Sequence, residues 1–170
     1  EKVAANAGLA LVFEPATAGE TVKTARRGMA RYQVFIEGQP AHSGREPEKG
    51  INAIHEAAYQ ILRIAEWDAP EAGTSVATNL ITGGTAANVI APRTNFLVDM
   101  RFSSQAETER LDALINRLEP VLPGIRLKVE RVKGGRPPME RDGQMMLTFE
   151  QCARLAGQLG LPIAEELSGA

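Results

Sequence analysis

In 170 residues the sequence holds one cysteine, Cys152, and two histidines, His42 and His55. A lone cysteine cannot close an internal disulfide, and so few soft ligands all but exclude a complete His/Cys zinc site. No apolar run approaches the roughly 20 residues needed to cross a bilayer, and the N-terminus lacks the basic, apolar, small-residue order of a secretory leader. Charge is also unbiased: 19 basic residues face 21 acidic ones, for a net charge of −2. That balance lacks the basic excess that phosphate contacts require. Neither nucleic acid nor a membrane is therefore expected as a partner. The chain starts at Glu1 and ends on Ser168-Gly169-Ala170, which reads as a piece of something longer. A cytoplasmic location is expected, with the periplasm left open by the absent true N-terminus.

What is present is 44% hydrophobic and 24% charged, the composition of a globular domain. Leu9-Ala10-Leu11-Val12-Phe13 is continuously apolar and is closed by Glu14-Pro15, as for a strand buried on both faces. From Met29 to Glu37, Ala30, Tyr32, Val34 and Ile36 alternate with mostly polar neighbours, the pattern of a half-buried strand. Ile51, Ile54, Ala58, Ile61, Leu62 and Ala65 share one helical face, which predicts a helix over 51–66. Strands are predicted over 74–82 and 95–102, a helix over 105–119 opened by Ser104 and Glu107, and a strand alternating Ile125, Leu127 and Val129. A further helix over 143–159, with Met146, Phe149, Cys152 or Ala153, and Leu155 inward, precedes a short strand near Ile163.

The central run is strand, helix, strand, strand, helix, strand. That βαββαβ order predicts an α+β, ferredoxin-like layer of two helices on an antiparallel sheet. It spans 28–133, while 1–27 and 134–170 read as edges of a second, α/β domain into which it is inserted. The strand over 74–82 would lie at a sheet edge, where pairing with a second copy satisfies its backbone groups.

Two candidates emerge from the residues alone. His42, in the loop Ala41-His42-Ser43-Gly44, sits where no core claims it, and an imidazole can donate to a developing oxyanion. Glu14, at the end of a predicted buried strand, reads either as a solvated acid before the turn proline or as a carboxylate placed where α/β folds bind ligands and suited to a cation. His55 lies inside a predicted helix and is given no role. The loop from Gly83 to Pro92 joins two strands and matches no phosphate-cradling pattern. Arg101, on the polar side of its predicted strand, reads either as an ordinary surface charge or as a guanidinium suited to a bidentate carboxylate clamp.

Phe13-Glu14-Pro15, Ala41-His42-Ser43-Gly44, Pro47, Gly50-Ile51-Asn52-Ala53-Ile54, Gly83-Gly84, Asn88-Val89-Ile90-Ala91-Pro92 and Asp99-Met100-Arg101 occur in this order along the chain. This succession resembles the aminoacylase/glutamate carboxypeptidase family of zinc exopeptidases over nearly the whole length. Gly135-Arg136-Pro137 adds a resemblance to the glutamate carboxypeptidase branch. The resemblance implies a two-domain hydrolase with two zinc ions and an inserted lid that forms a homodimer. By it, Glu14 is a metal ligand and His42 steadies the oxyanion, usually in the partner's active site. Asn88 and Arg101, joined by Arg136, would hold the carboxylate end of a small peptide or N-acyl amino acid.

The family's other metal ligands and its general-base glutamate have no counterpart between Glu1 and Ala170. The fragment alone is accordingly expected to be inactive and not to hold zinc stably. An alternative is a stand-alone ferredoxin-like regulatory or ligand-binding module. Single-stranded RNA binding, which uses the same element order, would need stacking aromatics on the sheet surface. Phe96 and Phe102 instead fall on the predicted core side.

Overall fold

The computed structural model describes residues 21–168, with side chains placed through Glu166. The strand expected over 9–13 and the candidate ligand Glu14 lie outside the described residues. Among those described, the elements are β1 (Thr21–Arg26), β2 (Gly28–Glu37), α1 (Ala53–Ala65), β3 (Ser75–Gly83), β4 (Arg93–Phe102), α2 (Gln105–Asn116), β5 (Arg126–Arg131), α3 (Gly143–Gln158) and β6 (Ala164–Ser168). From β2 to β5 they form an antiparallel sheet in the order β3-β4-β2-β5. Two helices between its strands complete the ferredoxin-like layer expected from the element order.

Strict alternation builds the central pair. Ala30, Tyr32, Val34 and Ile36 on β2 and Phe96, Val98, Met100 and Phe102 on β4 are each at most 2% exposed. Their neighbours Arg31, Gln33, Asn95, Leu97, Asp99 and Arg101 face the opposite, open side, since side chains alternate along a strand. Leu111 and Ile115 of α2 and Ala57 and Ile64 of α1 close the core from above.

α1 begins two residues later than its apolar spacing suggests. Asn52 caps it, its Oδ1 accepting from Ile54 N at 3.0 Å and His55 N at 3.4 Å. The face it buries is Ala53, Glu56, Ala57, Gln60 and Ile64, not the apolar stripe seen in the sequence. Ile54 and Leu62 of that stripe are 40% and 69% exposed. Small alanines let the helix lie close to the sheet, and Glu56 is fully partnered in the core. Its carboxylate accepts from Val121 N at 2.9 Å, Leu122 N at 2.8 Å and Gln60 Nε2 at 2.6 Å. α2 ends at Asn116, short of the expected 119. Ser104 caps it by accepting from Glu107 N, while the Glu107 carboxylate turns to Thr74 and Arg110.

Beside this layer, β1 pairs in parallel with β6, and α3 packs on β1. β1 has no clear hydrophobic signature. Its buried residue is Thr24, which donates to Glu165 on β6, and Thr21 Oγ1 donates to Glu166 at 2.6 Å. On α3, Met146, Phe149, Cys152 and Ala153 are half-buried as expected, but Leu155 is exposed and Ala156 takes its place. The stripe continues from Cys152 by four residues rather than three, which leaves Leu155 one step around the helix.

Candidate functional site

The candidate residues fall into two groups at opposite ends of the sheet. At the end where β2 stops and β4 starts, two loops are laced together. Ser43 N donates to Asn88 O at 3.0 Å, Ile90 N to Ala41 O at 2.9 Å and Gly38 N to Pro92 O at 2.9 Å. His42 forms a bridge pair with Val89, so His42 and Asn88 share one exposed tip. Gly50 allows this approach, because a Cβ there would stand 2.3 Å from Ile90 Cδ1.

His42 Nδ1 accepts from Gly44 N at 3.1 Å. A neutral imidazole that accepts at Nδ1 carries its proton on Nε2, so the outward nitrogen is a donor. Beside this tip lies an open groove of about 550 Å³ lined by Ser43, Ile51, His55, Ile90, Leu122 and Pro123. His55, given no role from sequence, is an exposed helical residue on its wall.

The other end holds the arginines. Arg101 on β4 pairs with Met29 on β2, and Met29 in turn exchanges backbone hydrogen bonds with Arg136, both at 2.9 Å. One cross-strand row therefore reads Arg101, Met29, Arg136. Arg26, at the end of β1, bridges to Met139 beside them. Burial lowers the Arg136 guanidinium below its ordinary pKa, and the charges of Arg26 and Arg101 lower it further. Among the described residues no carboxylate pairs with Arg26 or Arg136; Arg136 Nε donates instead to Arg27 O at 3.3 Å.

Among the described residues, Arg101 pairs with one acid, Asp99. Its Nε donates to Asp99 Oδ1 at 2.7 Å, and Arg31 Nε donates to Asp99 Oδ2 at 2.7 Å. Burial pushes the Asp99 carboxyl up, but hydrogen bonds from Arg101 and Arg31 outweigh it and hold the group below its ordinary value. Arg26 is the functional candidate that sequence reasoning missed. Its signal was the pair Arg26-Arg27 directly before a well-marked strand, hidden because β1 itself was not recognised.

The two ends are far apart. Arg93 to Arg101 is eight residues of extended strand, about 27 Å at roughly 3.4 Å per residue. A two-residue substrate spans about 7 Å, so one small ligand cannot touch both groups of a single chain.

A family profile for the peptidase dimerisation domain matches residues 24–126. The chain belongs to the peptidase dimerisation domain family. It is 29% identical over 157 residues to carboxypeptidase G2 from a Pseudomonas species, an alignment covering 92% of this chain and 34% of that protein. It is 30% identical over 147 residues to a succinyl-diaminopimelate desuccinylase from Hahella chejuensis, covering 80% of this chain and 37% of that one. The chain thus spans about a third of these relatives' length. The same fold occurs in an aminopeptidase from Bacillus cereus, with a TM-score of 0.62 at 20% identity over 91% of this chain and 42% of that one. It also occurs in an amidase of the hydantoinase/carbamoylase family from Burkholderia multivorans, with a TM-score of 0.60 at 24% identity, covering 88% and 37% of the two chains.

As a peptidase dimerisation domain, the chain comes from a family of generally metal-dependent enzymes. Its own described residues do not fit a metal centre: no three His, Cys, Asp or Glu side chains converge among them. Among the described residues, no helix is long and apolar enough to cross a membrane.

Proposed function

We propose that this chain is the dimerisation and substrate-capping portion of an amide-bond hydrolase of the exopeptidase type. On this reading 28–133 is the lid, and 1–27 and 134–170 are edges of the catalytic domain, which carries the zinc chemistry outside the described residues. Glu14 is assigned to that metal site.

The observation that carries the reading is the separation of His42 and Asn88 from Arg101 and Arg136. Arg26 ends β1, which pairs with β6 and carries α3, and Arg136 lies against Arg26 and Arg27, so their end of the lid is taken as the one beside its own catalytic domain. His42 and Asn88 are at the far end and serve the active site of a second subunit. Each substrate is then held by Arg101 and Arg136 of one chain and approached by His42 and Asn88 of its partner. His42 Nε2–H donates to the oxyanion as the amide carbonyl becomes tetrahedral. Asn88 orients the substrate from the same tip.

Three guanidiniums, Arg26, Arg101 and Arg136, with Asp99 as their one carboxylate partner among the described residues, suit an acidic terminal residue. This favours a C-terminal or N-acylated glutamate-like substrate, as in the glutamate carboxypeptidase branch. The homodimer is assigned to the β3 edge. Leu80 and Ile81 there are 64% and 52% exposed. The outward stripe of α1 flanks them, with Ile54 Cδ1 3.5 Å from where a Cβ on Gly84 would sit.

Steady-state kinetics of the full-length enzyme test the assignment. His42→Ala should lower kcat by about 10² to 10³-fold, the usual size for one oxyanion donor, with KM nearly unchanged. Arg101→Ala should act mainly on KM. Equal effects of both on KM would contradict these roles.

A further inference from the structure

Arginine carries five N–H donors in a rigid fork, so the edge already occupied decides which edge remains for a ligand. At Arg101 the occupied edge is clear. Asp99 takes Nε at 2.7 Å and lies 3.4 Å from Nη2 through its second oxygen. That leaves the end-on pair, Nη1 with the outer proton of Nη2. Asp99 is itself pinned, because Arg31 Nε holds its Oδ2 at 2.7 Å. All three side chains stand on the open face, with Asp99 opposite Arg31 in the β2–β4 register. The Asp99 and Arg101 side chains are only 20% and 26% exposed, so water competes weakly for this contact.

We infer that Asp99 is a positioning residue, locked by Arg31, that turns Arg101 so that its end-on Nη1/Nη2 edge meets the substrate carboxylate. The inference rests on the carboxylate-binding role proposed above for Arg101. It adds that Asp99 strengthens anion binding although it is itself an anion. Simple charge counting gives the opposite sign, since Arg26, Arg31, Arg101 and Arg136 would attract an anion more strongly with Asp99 neutralised. Orientation wins here because a bidentate guanidinium–carboxylate pair depends on a fixed, coplanar fork.

Arginine side-chain NMR of this chain, titrated with glutarate, tests the inference. In the wild-type chain the Arg101 Nε–H should exchange slowly with water. Glutarate should shift the Arg101 Nη signals and leave that Nε–H protected. In Asp99→Asn, which leaves one acceptor oxygen for Arg101 and Arg31 to share and puts an NH2 donor in place of the other, the protection should weaken and glutarate affinity should fall about tenfold, the order expected for losing one oriented charge-assisted contact. Arg31→Gln leaves the Asp99–Arg101 contact in place but unlocks it, so Arg101 Nε–H exchange should quicken, and it keeps the test open if Asp99→Asn does not fold. Unchanged or tighter glutarate binding in Asp99→Asn, or unchanged Nε–H exchange in Arg31→Gln, overturns the inference while leaving Arg101 as the carboxylate site. Glutarate that moves no signal of Arg101 or Arg136 in the wild-type chain overturns the carboxylate site itself.

Discussion

Asn88 and Arg101 stand at opposite ends of one strand. The loop holding Asn88 enters β4 at Arg93, and Arg101 lies eight residues further on, about 27 Å away along the extended chain. Residues 13 apart in sequence are thereby placed further apart than any small substrate reaches. A catalytic arrangement that uses both must draw them from two copies of this domain.

That second copy should dock on the β3 edge. Light scattering of the chain should give a mass near twice 18.3 kDa, and Ile81→Asp should bring it down to the single value. The substitution places a charge beside unpaired strand groups, a device that native edges use to prevent pairing. A mass unaffected by Ile81→Asp would move the interface elsewhere.

The groove beside His42 depends on a buried acid. Glu56, 0% exposed, accepts from two backbone N–H groups of the turn at Val121 and Leu122. Glu56→Ala should cost about 3 kcal/mol, since hydrogen bonds to a charged group contribute about 1.5–3 kcal/mol each and their loss leaves the donors unpartnered. In a chain of this size that is a fall of about 9 °C in Tm. A loss under about 1 kcal/mol by calorimetry would contradict Glu56 as the anchor of that turn.

Acid should loosen the β1–β6 pair through Glu165. Hydrogen bonds from Arg141 and Thr24 hold this carboxyl at about 2, against an ordinary value of 4.5. A lowered folded-state pKa adds stability that is fully present above 4.5 and is lost as pH falls through about 2. Hydrogen exchange of the β1 and β6 amides should therefore quicken across that window, and Glu165→Gln should flatten the dependence. The same acid response in Glu165→Gln would assign it to other carboxyls.

The ferredoxin-like layer was legible because its central strands alternate on their inward side and its loops carry strong turn residues. β2 and β4 follow directly from Ala30 to Ile36 and from Phe96 to Phe102. β1 was not legible, since Thr-Val-Lys-Thr-Ala-Arg buries a threonine and pairs through hydroxyl and carboxylate groups rather than an apolar face. The stripe on α1 was visible, but its direction was not. Glu56 and Gln60 face inward because Val121, Leu122 and Glu119 supply their partners, a tertiary fact that no periodicity encodes. The candidate residues could be picked out one by one. Their division between the two ends of the sheet, and the place of Arg26 beside Arg101 and Arg136, required the strand register.

The shared site can be tested by mixing subunits of the full-length enzyme. Assayed with substrate well below KM, His42→Ala and Arg101→Ala should each lose most activity alone, the first through kcat and the second through KM. Mixed and allowed to exchange subunits, they should recover activity, because a heterodimer holds one site in which both residues are intact and another in which both are lost. About a quarter of wild-type activity is expected, since random pairing makes half the dimers mixed and each mixed dimer has one complete site of two. Mixtures no more active than the two variants alone would contradict the account and place His42 and Arg101 in the same subunit's site.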